Sequence, residues 1–266
     1  MKKLLTIAGS DSSGGAGIQA DLKTFSALGT YGMSCICSIT AQNTQGVTDV
    51  QNINVKTVIS QLEAVYDDIE PDGVKTGMLS TPEITQAVTE FLKKRNKSPL
   101  VVDPVMVATT GARLMEEAAI KVYKEKLFPI STLITPNLQE AEVLADMEIK
   151  TLEDMKIDAK KIMNYKCNAV LIKGGHLIND ATDLLYNGER FIEYKGVKCE
   201  TKNTHGTGCT LSSALAVYLA KGYTLEDSVR KAKKYITNAI KNAVNNSVGH
   251  GNGPVAHFWN VNRRTK

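Results

Sequence analysis

Residues 203–210 read Asn-Thr-His-Gly-Thr-Gly-Cys-Thr and run directly into an apolar stretch of helical character at 211–220. A Gly-x-Gly turn at the head of a helix leaves backbone N–H groups unpaired and adds the positive end of the helix dipole, a combination that favours phosphate. Gly206, Thr207 and Gly208 supply the turn, and Cys209 is the side chain it delivers. A thiol at a helix N-terminus is expected to ionise below its ordinary pKa of about 8.5. Cys209 is then either a weak base for a substrate hydroxyl or a small group that fits beside the working amides. Lys173 ends the apolar run 169–172, where a lysine is costly unless it meets an anion. Asn137 and Glu140, three residues apart, read either as a helix cap or as an acid beside Mg²⁺ and phosphate. Asp21 is either a surface acid early in a helix or a group of the site.

Such residues need a frame. Apolar, β-branched runs at 4–9, 35–42, 73–79, 99–105, 132–137 and 169–175 predict strands, and Asn187-Gly188 within 183–196 predicts a hairpin. Helical patterns occupy 15–29, 55–68, 81–95, 116–127, 138–146, 152–166, 209–221 and 225–244. Strands that are apolar along their whole length and alternate with helices predict a mainly parallel sheet covered on both faces. No repeat, linker or low-complexity tract divides the chain, so residues 1–266 read as a single α/β domain. Ligands of such sheets bind beyond the carboxyl ends of the strands. Polar and glycine residues cluster there, after one strand end and the next.

Composition narrows the function classes. The net charge of +4 is small and dispersed, and no basic stripe with interleaved aromatics suggests nucleic acid. No stretch approaches the roughly 20 apolar residues of a membrane span. The five cysteines are odd in number and scattered, which favours a reducing cytoplasm over a disulfide framework. Residues 15–20, Gly-Ala-Gly-Ile-Gln-Ala, match a dinucleotide pattern weakly, but no carboxylate ends the second strand to hold a ribose. The phosphate-loop signature with its Gly-Lys-Ser/Thr ending is missing as well.

The stretches AGSDSSGGAGIQADLKTFSALGTYG, TAQNTQGV, KTGML, VVDPVM, LITPNLQEAEVL, LIKGGH, TKNTHGTGCTLSSALA and GHGNGP together resemble the hydroxymethylpyrimidine/phosphomethylpyrimidine kinases of thiamine biosynthesis, within the ribokinase-like superfamily. The resemblance runs from about residue 4 to 258. It implies ATP-dependent, Mg²⁺-assisted phosphorylation of 4-amino-5-hydroxymethyl-2-methylpyrimidine and then of its monophosphate, by a homodimer. It places the pyrimidine pocket at Gly9, Asp21, Gln42, Met78 and Val105. The nucleotide and metal side falls on Asp103, Asn137, Glu140 and Lys173, with Asp103 and Glu140 meeting Mg²⁺ through water. The anion hole falls on Gly206, Thr207, Gly208 and Cys209, and the adenine pocket on the helix at 225–244 with GHGNGP. Thr109-Thr110 stands where family members often carry Lys-Ser. Two rivals share these features: a pyridoxal kinase of the same superfamily, in which the amide at 42 tends to be apolar, and a non-catalytic nucleotide-binding regulator.

Overall fold

The computed structural model describes residues 1–106, 115–175, 181–196 and 199–261, so Thr109-Thr110 lies outside the described residues. Nine strands among them form one sheet. Its centre is parallel, in the order β2 (Tyr31–Gln42), β1 (Lys3–Asp11), β4 (Gly73–Thr76), β5 (Leu100–Val102), β6 (Leu133–Ile134), β7 (Val170–Ile172). Antiparallel strands finish both edges: β3 (Val47–Asn52) beside β2, and the hairpin β8 (Asp183–Tyr186) and β9 (Phe191–Tyr194) beside β7. The hairpin predicted from Asn187-Gly188 forms with a four-residue loop, in which Gly188 takes φ +90° and Asn187 caps the turn.

Successive residues of the central strands feed opposite cores, because side chains alternate across a pleated strand. Leu5 and Ile7 join the core under α2 (Val55–Asp68), α3 (Pro82–Arg95), α5 (Leu138–Ala145) and α6 (Leu152–Met163). Leu4 joins the opposite core under α1 (Gly17–Ala27), α7 (Thr207–Ala220) and α8 (Leu225–Lys241). The segment 116–127, read as one helix, is α4 (Glu117–Val122) followed by a wider turn at Tyr123–Leu127. Cys35 and Cys37 lie buried on one face of β2, and neither forms a disulfide.

One interaction ties four elements together beneath the strand ends. Lys75 of β4 and Asp21 of α1 are both fully buried, with Nζ 2.9 and 3.0 Å from the two carboxylate oxygens. Thr6 of β1 and Ser213 of α7 each donate a hydroxyl to the same carboxylate, at 2.6 Å. Burial pushes the Lys75 ammonium towards neutrality, but the Asp21 charge overrides it and holds the group protonated, above the ordinary lysine range. Removing one partner strands a buried charge. Asp21→Asn should therefore cost about 3–5 kcal/mol in urea unfolding, while Asp21→Asn combined with Lys75→Met recovers much of that loss. A double variant as destabilised as the sum of Asp21→Asn and Lys75→Met alone would show that the pair is not coupled.

Candidate active site

A cavity of about 690 Å³ opens where the parallel strands end. Each strand contributes in turn: Gly9 and Asp11 from β1, Thr40 and Gln42 from β2, and Lys75, Gly77 and Met78 at the end of β4. Asp103 and Val105 follow β5, Asn137 and Glu140 follow β6, and Lys173 follows β7. The first turn of α7, Gly206 to Cys209, closes the middle. Lys233, Ile236, Thr237 and Ile240 of α8 line the far arm.

The phosphate-facing turn is built from glycine for steric reasons. Gly206 takes φ +80°, and a Cβ there would lie 1.8 Å from the Gly15 carbonyl. No side chain caps α7, and the Thr207 N–H turns back to the Thr204 carbonyl at 3.2 Å. The N–H groups of Gly208 and Cys209 then point out along the helix axis, towards the cavity. Gly208 stands close to Lys173 and Asp103: a Cβ there would lie 3.3 Å from Lys173 Nζ and 3.7 Å from Asp103 Oδ2.

Lys173 and its acids form a compact set. Lys173 Nζ is 2.8 Å from Asp103 Oδ1 and 3.9 Å from Glu140 Oε2. Asp103 also accepts the hydroxyls of Thr135 at 3.2 Å and Ser212 at 3.1 Å. Burial raises its carboxyl, yet Lys173 and Lys75 pull it below the usual range. Glu140 completes the capping box with Asn137, as the first reading of that pair expects, and both residues also line the cavity. Its pKa is pushed up to about 7, chiefly by burial, with Lys173 opposing and Asp103 adding to the rise. Added positive charge beside this carboxyl favours its ionised form.

Three expectations need correction. Asp21, placed in the pyrimidine pocket by resemblance, does not line the cavity; it is fully buried behind Lys75 as that lysine's counter-ion. The Cys209 thiol moves in the opposite direction from the helix-dipole expectation. Burial raises its pKa to about 11; Lys75 and the Gly17 N–H pull it down, while Asp21 and Asp103 add to the rise. Desolvation is the largest influence, and at a pKa of about 11 the thiol is neutral at physiological pH. The GHGNGP segment does not line the main cavity either. It braces the 203–206 loop, with Gly253 O accepting from His205 N at 3.0 Å and Asn252 N donating to Thr44 O at 2.9 Å. A Cβ on Gly253 would sit 2.0 Å from Asn203 Oδ1, which explains the glycine.

Sequence reasoning assigned no role to Asp11, His205 or Lys75. His205 Nε2 lies 2.8 Å from Asp11 Oδ2, locking the loop after β1 to the loop before α7. The histidine stood within the singled-out motif, but its partner is 194 residues away in sequence.

The family model for phosphomethylpyrimidine kinase matches residues 11–256. The chain belongs to this family. It is 48% identical over 256 residues to the hydroxymethylpyrimidine/phosphomethylpyrimidine kinase of Rhizobium meliloti, covering 96% of each chain. It is 47% identical to the thiamine biosynthesis bifunctional protein ThiED of Geobacter sulfurreducens, covering 96% of this chain and 52% of that one. The chain thus spans about half the length of that relative. The structure of the pyridoxal kinase from Staphylococcus aureus in complex with AMP-PCP and pyridoxal is 37% identical, with a TM-score of 0.90 over 99% of this chain and 96% of that one. The fold of this kinase is ribokinase-like. No helix among the described residues is long and apolar enough to cross a membrane.

The raised Cys209 pKa gives a direct check. Below about pH 11 the thiolate fraction rises tenfold per pH unit, so carbamidomethylation of the Cys209 peptide, followed by mass spectrometry, should climb log-linearly from pH 7 to 9. A plateau below pH 8 would restore the thiolate reading.

Proposed function

We propose that this kinase transfers the γ-phosphoryl group of ATP to the hydroxymethyl group of 4-amino-5-hydroxymethyl-2-methylpyrimidine, and then phosphorylates the monophosphate in the same cavity. The observation that carries this reading is the approach of Gly208 to Lys173 and Asp103, which sets an uncapped helix N-terminus and a cation at one point. Phosphoryl transfer passes through a loose transition state, so positioning and charge neutralisation dominate. The Gly208 and Cys209 amides and Lys173 supply both. Gly9, Gln42, Met78 and Val105 line the acceptor side of the cavity, and the α8 residues line the donor side.

The donor set fits Mg²⁺ held through water. Asp103 and Glu140 offer hard oxygen ligands, but the Asp103 oxygens are engaged by Lys173, Thr135 and Ser212, and Glu140 Oε2 accepts from Asn137 N at 2.7 Å. Among the described residues no group of three or more His, Cys, Asp or Glu side chains forms a cage. Such an arrangement suits an ion that keeps much of its hydration and takes its remaining ligands from phosphate. Bound Mg²⁺ would neutralise phosphate charge, and Glu140 would be its ionised outer partner.

A neutral Cys209 has a consequence for the second step. A fixed carboxylate at this position would repel a substrate that already carries phosphate, whereas an un-ionised thiol leaves the field positive. The loss of the hydroxyl proton is late in a loose mechanism, so a strong base beside it is not required. A second reading, phosphorylation of pyridoxal, draws on the likeness to the Staphylococcus aureus enzyme.

ATP consumption measured separately with the pyrimidine, its monophosphate, pyridoxal and ribose decides between them. The expected result is turnover of the first two, with mutual competition between them. Turnover of pyridoxal alone would replace the proposal with the second reading. ATP binding without turnover of any acceptor would identify a regulator.

A further inference from the structure

The GHGNGP segment, residues 249–254, stands outside the cavity, yet three of the cavity's sides rest on it and on the two residues that follow. Beyond Pro254 the chain is anchored to the donor side. Val255 is buried in the core under α8, and Ala256 N donates to the Ala239 carbonyl of that helix at 3.1 Å. The middle grips the 203–206 loop through its backbone: His205 N donates to Gly253 O at 3.0 Å, and Val255 N donates to His205 O at 3.3 Å. The near end holds the tip of the loop that follows β2. Thr44 Oγ1 accepts from Gly251 N at 3.1 Å, and Thr44 O accepts from Asn252 N at 2.9 Å.

Thr44 leaves no room for a side chain opposite it. A Cβ on Gly249 would lie 2.3 Å from Thr44 Oγ1, and one on Gly251 would lie 2.1 Å from Thr44 O. Gly251 has no positive φ, so close approach alone accounts for its glycine. The held loop is stiff. Asn43 Oδ1 accepts from the N–H groups of Gln45 and Gly46, and Asn43 N donates to Gly46 O at 3.0 Å. The position of Thr44 is thereby passed to the cavity wall at the end of β2. There Ser12 Oγ accepts from Gln42 N and donates to Gln42 O, both at 2.8 Å, and its neighbour Asp11 meets His205. The contacts close a ring around the cavity mouth: 12, 42, 44, 251, 253, 205 and 11.

We propose that residues 249–256 are a splint, and that Thr44 is the positioning residue through which the splint holds the acceptor-side loop in register with the phosphate-facing turn at 206–209. Thr44 does not line the cavity, so it acts on the reaction through alignment alone. The inference rests on the kinase reading, with the acceptor on the β2 side of the cavity. Phosphoryl transfer depends on placing the acceptor hydroxyl against the phosphorus, and small misplacements are costly. Releasing Thr44 loosens the acceptor wall, while the nucleotide keeps α8, Lys173 and the 206–209 amides.

The test compares wild type, Thr44→Val, Thr44→Ser and Gly251→Ala in two readouts: kcat/KM for the acceptor, and the Kd of AMP-PCP by calorimetry. Thr44→Val keeps the shape and leaves the Gly251 N–H without its acceptor. The expected result is a fall of about five- to tenfold in acceptor kcat/KM, with the Kd of AMP-PCP within about twofold of wild type. Thr44→Ser should stay close to wild type. Gly251→Ala reads the same contact from its other side, should the valine variant fail to fold, and displaces the Thr44 carbonyl for a fall of about thirtyfold or more. Thr44→Val added to Gly251→Ala should cost little further, because both act at one contact. An unchanged kcat/KM in folded Thr44→Val, a serine variant as slow as the valine one, or an equal loss of AMP-PCP affinity would overturn the inference alone. Failure of the wild type to phosphorylate any acceptor would instead bring down the kinase reading, and the inference with it.

Discussion

The buried ion pair between Asp21 and Lys75 is the constraint on which the rest of the site depends. It joins α1 to β4, and through Ser213 and Thr6 it adds α7 and β1 to the same carboxylate. These elements carry the loop after β1, the turn after β4 and the first turn of α7 to one cavity rim. The pair also sets the local field. Lys75 is charged because Asp21 is beside it, and the positive charge lies next to the Cys209 thiol without being spent on a phosphate.

From that pair outward, charge alternates through the site: Asp21, Lys75, Asp103, Lys173, Glu140. Each buried charge is paired, as burial demands. The row ends on the one carboxyl whose pKa is pushed up to about 7, so added positive charge has somewhere to be matched. Adjacent to this row stands the amide-lined turn at 206–209, which carries dipole but no net charge. Binding of a highly charged donor therefore meets a neutralised framework with local positive edges. That arrangement suits a cavity that must accept a neutral alcohol and then a phosphate ester.

Much of this was legible in the sequence, because strand-helix alternation and glycine spacing are local signals. The parallel core, the edge hairpin and the 203–210 loop appear where their residues predict them. Strand β3 was not foreseen, since nearly all of it is exposed and its polar residues lack the apolar alternation that marks a half-buried strand. Lys75 and Asp21 escaped notice as a pair because they lie 54 residues apart in sequence. The acidity of Cys209 was misjudged for a related reason. Its helix position is visible in the sequence, but its burial and its neighbours Asp21 and Asp103 are products of the tertiary fold.

The account turns on where the transferred phosphate sits relative to that row of charges. A crystal structure of the chain with a non-hydrolysable ATP analogue and the 4-amino pyrimidine measures this directly. The account predicts the terminal phosphate within hydrogen-bond distance of the Gly208 and Cys209 N–H groups and of Lys173 Nζ, with the acceptor on the Gln42 side. A terminal phosphate held away from the 206–209 turn would contradict it.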